Sequence, residues 1–287
     1  MPNDSIPAPA KPGLKRRWLF AILALTLLFV LMPFLFWQAT WFGKPLNDAQ
    51  LEKSLADREH PRETQHALSQ LADRILARDA FTRDSARRFY PQIVAIAQTG
   101  QDELRLTAAW VMGQDNSVPD FRQELLRLSQ DPNPMVRRNA ALALVRFGDA
   151  SGRDEIRSML QPSSVAAPVP GSLEERLKPG DAINPGTLLG RIDAGDRSRT
   201  ELRSQIAGAI DHWLVPDKTA VAVGQPVLLV NPSVDEIWES LRALYLIGEA
   251  QDLPVVDALA RGSGAVPANV RQQAELTATA IRSRQSR

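Results

Sequence analysis

The chain has 287 residues and nearly balanced charge, with 34 Lys and Arg against 33 Asp and Glu. It lacks the basic excess that indicates a nucleic-acid-binding protein, so we expect no nucleic-acid partner. Cysteine is absent, which excludes disulfide bonds, thiolate zinc sites and a cysteine nucleophile. Once an anchor is set aside, the length leaves room for one or two domains.

The first predicted element is an apolar segment. Residues 18–37 contain no charged side chain, and a helix of about 20 residues crosses a hydrocarbon core of about 30 Å. Trp18, Trp37 and Trp41 lie at its ends, where interfacial aromatic residues are expected. We therefore predict a transmembrane anchor over residues 15–41, which contacts membrane lipid through residues 18–37.

The charges on either side of this segment predict its orientation. The basic run 15–17 precedes it, whereas Lys44 and Asp48 follow it. The positive-inside rule then makes residues 1–14 a cytoplasmic tail. We expect a single-pass protein of the inner (plasma) membrane, with its bulk extracytoplasmic or periplasmic.

Two other interpretations of the apolar segment are open. A cleaved signal peptide has an apolar stretch of about 7–15 residues and a small-x-small cleavage site, whereas this stretch is longer and is followed by Gln38, Ala39, Thr40 and Trp41. A buried core helix of a soluble protein usually has a polar stripe, which this segment lacks. The anchor is the favoured interpretation.

Residues 47–161 are predicted to be helical. Apolar residues recur at spacings of three and four, as in Leu68, Leu71 and Ile75. Residues 131–134, Asp-Pro-Asn-Pro, cannot continue a helix and offer an N-cap.

A repeat is visible within this helical region. RLTAAWVM at 105–112 matches RRNAALAL at 137–144, an offset of 32 residues. A basic residue, paired alanines and an apolar run that ends near a glycine resemble HEAT-type repeats, whose alanines permit close helix packing. Residues 63–71 resemble a degenerate first repeat, and residues 233–287 resemble further HEAT helices. An ordinary helical bundle with coincidental alanines is the alternative.

Between the helical regions the period changes. Residues 162–172 are rich in Pro, Ser and Ala and predict a linker. Residues 173–232 predict a small β module of short strands and glycine turns. Its two halves match at an offset of 38 residues, with Ile183 and Gly186 corresponding to Val221 and Gly224.

The two halves resemble the biotinyl/lipoyl-like hammerhead domain, which also occurs in HlyD-type membrane-fusion adaptors. The resemblance implies a flattened β sandwich. Carrier members modify a lysine in the hairpin between the halves, but residues 192–202 contain none, and Arg197 is a poor nucleophile because it stays protonated. The resemblance therefore implies a docking or spacing role. Adaptors carry a long coiled-coil hairpin between the halves, where this chain has only residues 193–203.

The sequence predicts no catalytic, cofactor-binding or metal-binding residue, and hence no enzyme. The histidines lack metal-ligand spacing, and Gly262-Ser263-Gly264 lacks the strand that precedes a nucleophile turn. The acidic residues are expected to be solvated or to cap helices, and the arginines to pair between repeats rather than hold an anionic partner. The side chains considered were His60, His66 and His212; Asp193, Asp196, Asp252 and Asp257; and Arg83, Arg87, Arg88, Arg137 and Arg138.

The predicted fold class is thus multidomain α and β: one transmembrane helix, a HEAT-like α-solenoid, and a lipoyl-like β sandwich inserted between helical segments. The predicted function is a membrane-anchored, non-enzymatic scaffold of a bacterial-type cell envelope that binds protein partners without a cofactor. Two alternatives remain, namely an adaptor-like subunit of a transport or secretion assembly, and an unrecognised enzyme or carrier.

Overall fold

The computed structural model describes residues 13–39, 45–195, 199–262 and 266–286. The chain divides into two compact units, Met1–Leu51 and Glu52–Arg287. Helix α1 (Gly13–Ala39) lies in the first unit, and helix α2 (Asp48–Ala56) crosses the division. Most of the predicted cytoplasmic tail, and Trp41 of the predicted anchor, lie outside the described residues.

Helix α1 has the length and composition of a membrane-spanning helix. Its apolar stretch Trp18–Leu35 is exposed to solvent throughout. Pro33 lies within the helix without ending it. A signal sequence near an N-terminus can have the same length and apolar composition.

The second unit contains ten further helices among its described residues. Short 3-10 turns at Arg87–Phe89 and Ala250–Asp252 precede two of them. The helices are α3 (Pro61–Ile75), α4 (Ala80–Ala86), α5 (Tyr90–Thr99), α6 (Asp102–Met112), α7 (Pro119–Leu128), α8 (Pro134–Arg146), α9 (Arg153–Ser158), α10 (Val234–Ile247), α11 (Leu253–Ala260) and α12 (Ala268–Gln285).

From α5 onward the helices pack in pairs, α5 with α6, α7 with α8, α9 with α10 and α11 with α12. We call α5, α7, α9 and α11 the first helices and their partners the second helices. The second helices stack side by side in the order α6, α8, α10, α12. Each helix pair buries its apolar face against its neighbours, which is the architecture of a helical solenoid.

The last two pairs continue the stack begun by the first two. Ile156 and Leu160 of the α9 region lie in one buried cluster with Ile237 and Leu241 of α10 and with Val270 at the start of α12. The residues between α9 and α10 form a β module, which is therefore inserted within a single helix pair.

The β module consists of two four-stranded antiparallel sheets in the orders β1-β8-β6-β3 and β5-β4-β2-β7. Their inner faces enclose a separate apolar core that includes Leu173, Leu189, Ile192 and Val230. The strands are β1 (Ser163–Ala166), β2 (Gly171–Glu175), β3 (Ala182–Ile183), β4 (Leu188–Asp193), β5 (Arg199–Arg203), β6 (Gly208–Trp213), β7 (Ala220–Val221) and β8 (Pro226–Pro232).

The linker predicted at residues 162–172 is wrong. Ser163–Ala166 is strand β1, which pairs with β8, and β2 begins at Gly171. Side chains in β1 alternate between partial burial and exposure, so its polar composition is that of a half-exposed strand and not of a flexible segment.

The module has internal twofold symmetry. Strands β1–β4 form one half of the module and β5–β8 the other. Exchanging each strand with its counterpart in the other half (β1 with β5, β2 with β6, β3 with β7, β4 with β8) converts the order of the first sheet into the order of the second. Gly171 and Gly208 open β2 and β6 with the same φ of 156°. A Cβ on either glycine would collide with a carbonyl oxygen of the facing strand, that of Asp193 or Asn231. Both halves therefore require glycine at this position.

Candidate protein-interaction groove

The second helices line a groove of about 740 Å³. Four large apolar side chains in it are strongly exposed: Trp110 at 43%, Tyr245 at 44%, Leu246 at 60% and Leu276 at 52%. They belong to α6, α10 and α12, and partly buried Leu142 of α8 lies between them in the stack. An exposed apolar patch with contributions from several elements indicates a binding surface.

The repeat places these side chains on one face. Trp110 and Leu142 occupy equivalent positions of the two matching segments. Trp110 and Tyr245 each lie three residues before the glycine that ends their helix, Gly113 or Gly248. Because the second helices are stacked, equivalent positions on successive helices form a continuous row.

Close packing sets the spacing of this row. A Cβ on Gly113 would lie 2.9 Å from the Cβ of Ala143, so no larger residue fits between α6 and α8 there without a shift. Ala108 and Ala109 in α6, and Ala140 and Ala141 in α8, are buried. Small residues at these positions bring the helices together and keep the larger Trp110 on the open face.

The rim of the groove is polar. Arg146 donates to the carbonyl oxygen of Gly113 at 3.1 Å and to Oε1 of Gln114 at 2.5 Å. Its positive charge therefore lies at the C-terminal end of α6, where the helix dipole is negative. On α10, Arg242 pairs with Glu239 at 3.2 Å. An apolar centre with a paired polar rim is typical of protein-binding surfaces.

Ion pairs also join successive repeats. Arg105 of α6 forms a bidentate pair with Asp131, with distances of 2.8 and 2.9 Å. Arg137 of α8 contacts Glu155 of α9 at 3.2 Å. Arg137 and Arg138, considered from the sequence as possible anion ligands, both pair within the repeats.

The surroundings of Asp131 shift its pKa downward. Burial raises the pKa of this carboxyl, but hydrogen bonds from Arg105 and from the backbone N–H of Asn133 outweigh burial and lower it below 3.8. The pKa of the Arg105 guanidinium is raised, chiefly by its hydrogen bond to Asp131. The pair is therefore ionised at neutral pH, as a structural contact between repeats requires.

A second groove, of about 870 Å³, lies between α5 and α7. One charged side chain in its wall, Glu124, is 5% exposed and accepts hydrogen bonds from Arg127 and Gln98. Tyr90 donates to Asp115 at 2.8 Å; burial, and then this bond, raise the pKa of the Tyr90 phenol. The large aromatic residues here are buried, so this groove exposes less apolar surface.

The three histidines lie apart and have local partners. His60 contacts Asp57 at 2.8 Å, which raises the pKa of the imidazole. His66 lies 2.9 Å from the amide of Gln70, and exposed His212 in β6 lies 2.9 Å from Asp211. Within the described ranges, no group of three or more His, Asp or Glu side chains is arranged to hold a metal ion.

The acidic residues considered from the sequence are also separate. Asp193 accepts from the N–H of Gly195 in the hairpin between β4 and β5, at 2.9 Å. Fully buried Asp252 lies within 4 Å of Arg153 and Arg157, and Asp257 pairs with Arg282 at 2.6 Å. Asp196, Arg197, Ser263 and Gly264 lie outside the described residues.

Sequence reasoning missed the exposed groove residues. The indole N–H of half-buried Trp213 donates to the carbonyl oxygen of Leu177 at 2.9 Å, so its role is structural. One feature of the sequence could have indicated the groove: Trp110 and Leu142 are large apolar residues at equivalent positions of the two matching segments. An apolar residue at an equivalent position of successive repeats lies on the same surface.

Comparison with known proteins supports the repeat. Residues 90–167 match the HEAT repeats family. No curated protein matches the chain.

Among solved structures, the chain is similar to a single-chain, multi-domain long-chain acyl-CoA carboxylase, with 21% identity over 44% of this chain and a TM-score of 0.24. The match spans 13% of that chain. The family match confirms the prediction of HEAT-like helices within residues 90–167.

Proposed function

We propose that this chain is a non-enzymatic scaffold that binds another protein along the groove lined by its second helices. The observation that carries this proposal is the exposure of Trp110, Tyr245, Leu246 and Leu276 on three of the four stacked second helices. HEAT-like repeats commonly bind proteins on such extended surfaces. Aromatic residues at the centre of a contact supply most of the binding energy.

The proposed scaffold is anchored in the inner membrane by α1, with the N-terminus in the cytoplasm and the repeats outside. Three features support the anchor: the apolar stretch Trp18–Leu35, the basic run at residues 15–17 that precedes it, and Trp18 at its start. An anchor confines the groove to the membrane surface, which raises its effective concentration toward a membrane-bound partner.

We further propose that the β module is a lipoyl-like domain used for docking or spacing. Its two four-stranded sheets and its internal symmetry support the resemblance. The hairpin between β4 and β5, where a carrier holds its modified lysine, has none in this sequence. The intact mass of the chain purified from its host should equal that of the unmodified sequence, and a biotin or lipoate adduct would support the carrier alternative instead.

A second candidate is an adaptor-like subunit of a transport or secretion assembly. The combination of an anchor helix with this β module favours it. The short hairpin between β4 and β5 argues against it, because adaptors carry a long coiled coil there. Co-purification of a transporter with the native chain, lost when the β module is removed, would favour the adaptor over the groove-binding scaffold.

The scaffold is tested by comparing the proteins that co-purify with the native chain and with Leu246→Asp. Leu246 is 60% exposed, so the substitution should leave stability within about 0.5 kcal/mol while placing a charge in the apolar row. The matched control is Val223→Asp, at an apolar residue of the β module that is 66% exposed. A partner lost with Leu246→Asp but retained with the control supports the groove, and equal recovery from all three chains contradicts it.

A further inference from the structure

A second exposed surface lies at the turn between α3 and α4. Phe81, in α4, is 87% exposed, more than any other large apolar side chain among the described residues. Leu76, which ends α3, is 56% exposed. Removing a phenylalanine from water is strongly favourable, so an uncovered one of this kind indicates a contact surface.

Exposed arginines flank these apolar side chains in the sequence. Residues 74–88 contain five Arg, two Asp and no Glu or Lys. Arg78, Arg83 and Arg87 are exposed. We call the exposed side chains of Leu76, Arg78, Phe81, Arg83 and Arg87 the corner surface.

The two acidic side chains in this stretch are engaged locally. Asp79 caps α4 and accepts a hydrogen bond from the N–H of Thr82 at 2.8 Å. Asp84 lies 3.8 Å from Arg87. Because five arginines outnumber two aspartates in residues 74–88, an excess of positive charge remains near Phe81.

We propose that the corner surface binds the anionic phospholipid headgroups of the membrane that α1 enters, with Phe81 inserted between the lipids. This proposal rests on the proposed membrane anchoring. An aromatic side chain surrounded by arginines matches the chemistry of an anionic membrane surface, where cations contact phosphates and rings reach the acyl boundary. Because the anchor would hold the chain at the bilayer, even a small surface suffices for binding.

The test uses the full chain in lipid nanodiscs with a single environment-sensitive fluorophore. The sequence has no cysteine, so Ala80→Cys gives one label beside an intact Phe81. The matched control label is Val223→Cys in the β module. Nanodiscs contain either phosphatidylcholine alone or phosphatidylcholine with about one quarter phosphatidylglycerol, to isolate the charge effect.

With phosphatidylglycerol we expect blue-shifted emission from the label at position 80 and roughly threefold weaker quenching by aqueous iodide than in phosphatidylcholine alone. Adding Phe81→Glu should abolish both changes, and the label at position 223 should show neither. Emission from position 80 that is the same in both lipids, or unaffected by Phe81→Glu, would overturn the proposal and leave the corner surface to a protein partner or a second copy of the chain.

The anchoring proposal is checked separately in the same samples, by whether the chain stays in the lipid fraction at alkaline pH. If the chain is retained but the label at position 80 shows the emission and iodide quenching of a label in water, only the proposal that the corner surface binds lipid is overturned. If the chain is not retained, vesicles of the same two compositions are added to it, and the presence or absence of the blue shift at position 80 decides the lipid contact without the anchor.

Discussion

Arg138 and Glu236 are 98 positions apart in the sequence, yet their side chains form an ion pair of 2.5 Å. The pair joins α8, which precedes the β module, to α10, which follows it. Arg138 also lies 3.4 Å from the hydroxyl of Ser163 in β1, and Glu236 completes the capping box of Ser233 in the first turn of α10. One guanidinium thus contacts both the first strand of the insertion and the helix that follows it.

The first prediction concerns this pair. Both side chains are about nine-tenths buried, so Glu236→Gln removes the nearer counter-ion of the buried Arg138 charge and leaves only Glu155, at 3.7 Å. We expect the free energy of unfolding to fall by about 3 kcal/mol in denaturant titrations. The control is Glu239→Gln at the exposed pair with Arg242, where the loss should stay below about 1 kcal/mol. Equal losses from the two substitutions would show that Arg138–Glu236 is not a structural link.

The second prediction concerns removal of the β module. β1 and β8 are paired, with Ser163 opposite Val230, so the two ends of the insertion are adjacent. Replacing residues 163–231 by a short Gly/Ser linker should preserve the helical circular-dichroism signal and cooperative unfolding, because Ile156 still packs with Leu241. Loss of the helical signal would mean that the repeats need the module to fold.

The third prediction concerns the pH dependence of the Arg105–Asp131 pair. The pKa of Asp131 is lowered in the folded chain, so its contribution is fully present above its unfolded pKa of about 3.9 and is lost as pH falls through the folded value. Asp131→Asn should therefore have a lower free energy of unfolding than the native chain at pH 7, and this difference should become smaller below about pH 4. Denaturant titrations across this pH range measure the difference in free energy of unfolding, and a difference that does not change with pH would exclude an ionised pair.

The fourth prediction concerns topology. The native chain has no cysteine, so Val223→Cys introduces one thiol on an exposed turn of the β module. In cells with a permeabilised outer envelope, a membrane-impermeant maleimide should label this thiol, while Ser5→Cys should react only after lysis. Labelling of Ser5→Cys alone before lysis would reverse the proposed orientation.

The repeat and the β module were predictable because their signals are local. Matching segments that contain Ala108 and Ala140 indicated stacked helices, and Gly186 with Gly224 indicated two similar β halves. Both patterns need only short stretches of sequence, in which side-chain size and backbone conformation are restricted.

Other features depend on contacts distant in sequence. Nothing near Arg138 identifies Glu236 as its partner, so the insertion within one helix pair and the continuity of the stack could not be derived. The groove was missed for the same reason, since the exposure of Trp110 and Leu246 depends on how four helices pack. The Ser163 strand resembled a linker because half of its surface faces water.

The central claim, that the second helices bind a protein, is tested most directly by site-specific photo-crosslinking in intact cells. A photoreactive residue replaces Leu246 in the groove or, as control, Val223 in the β module, because both side chains are exposed, whereas Trp213 and Arg138 are held by internal contacts. We expect one protein to be captured from position 246, to be absent from position 223 and to be lost when Trp110→Ala is added. Capture from position 223 alone, or capture at 246 that survives Trp110→Ala, would contradict it.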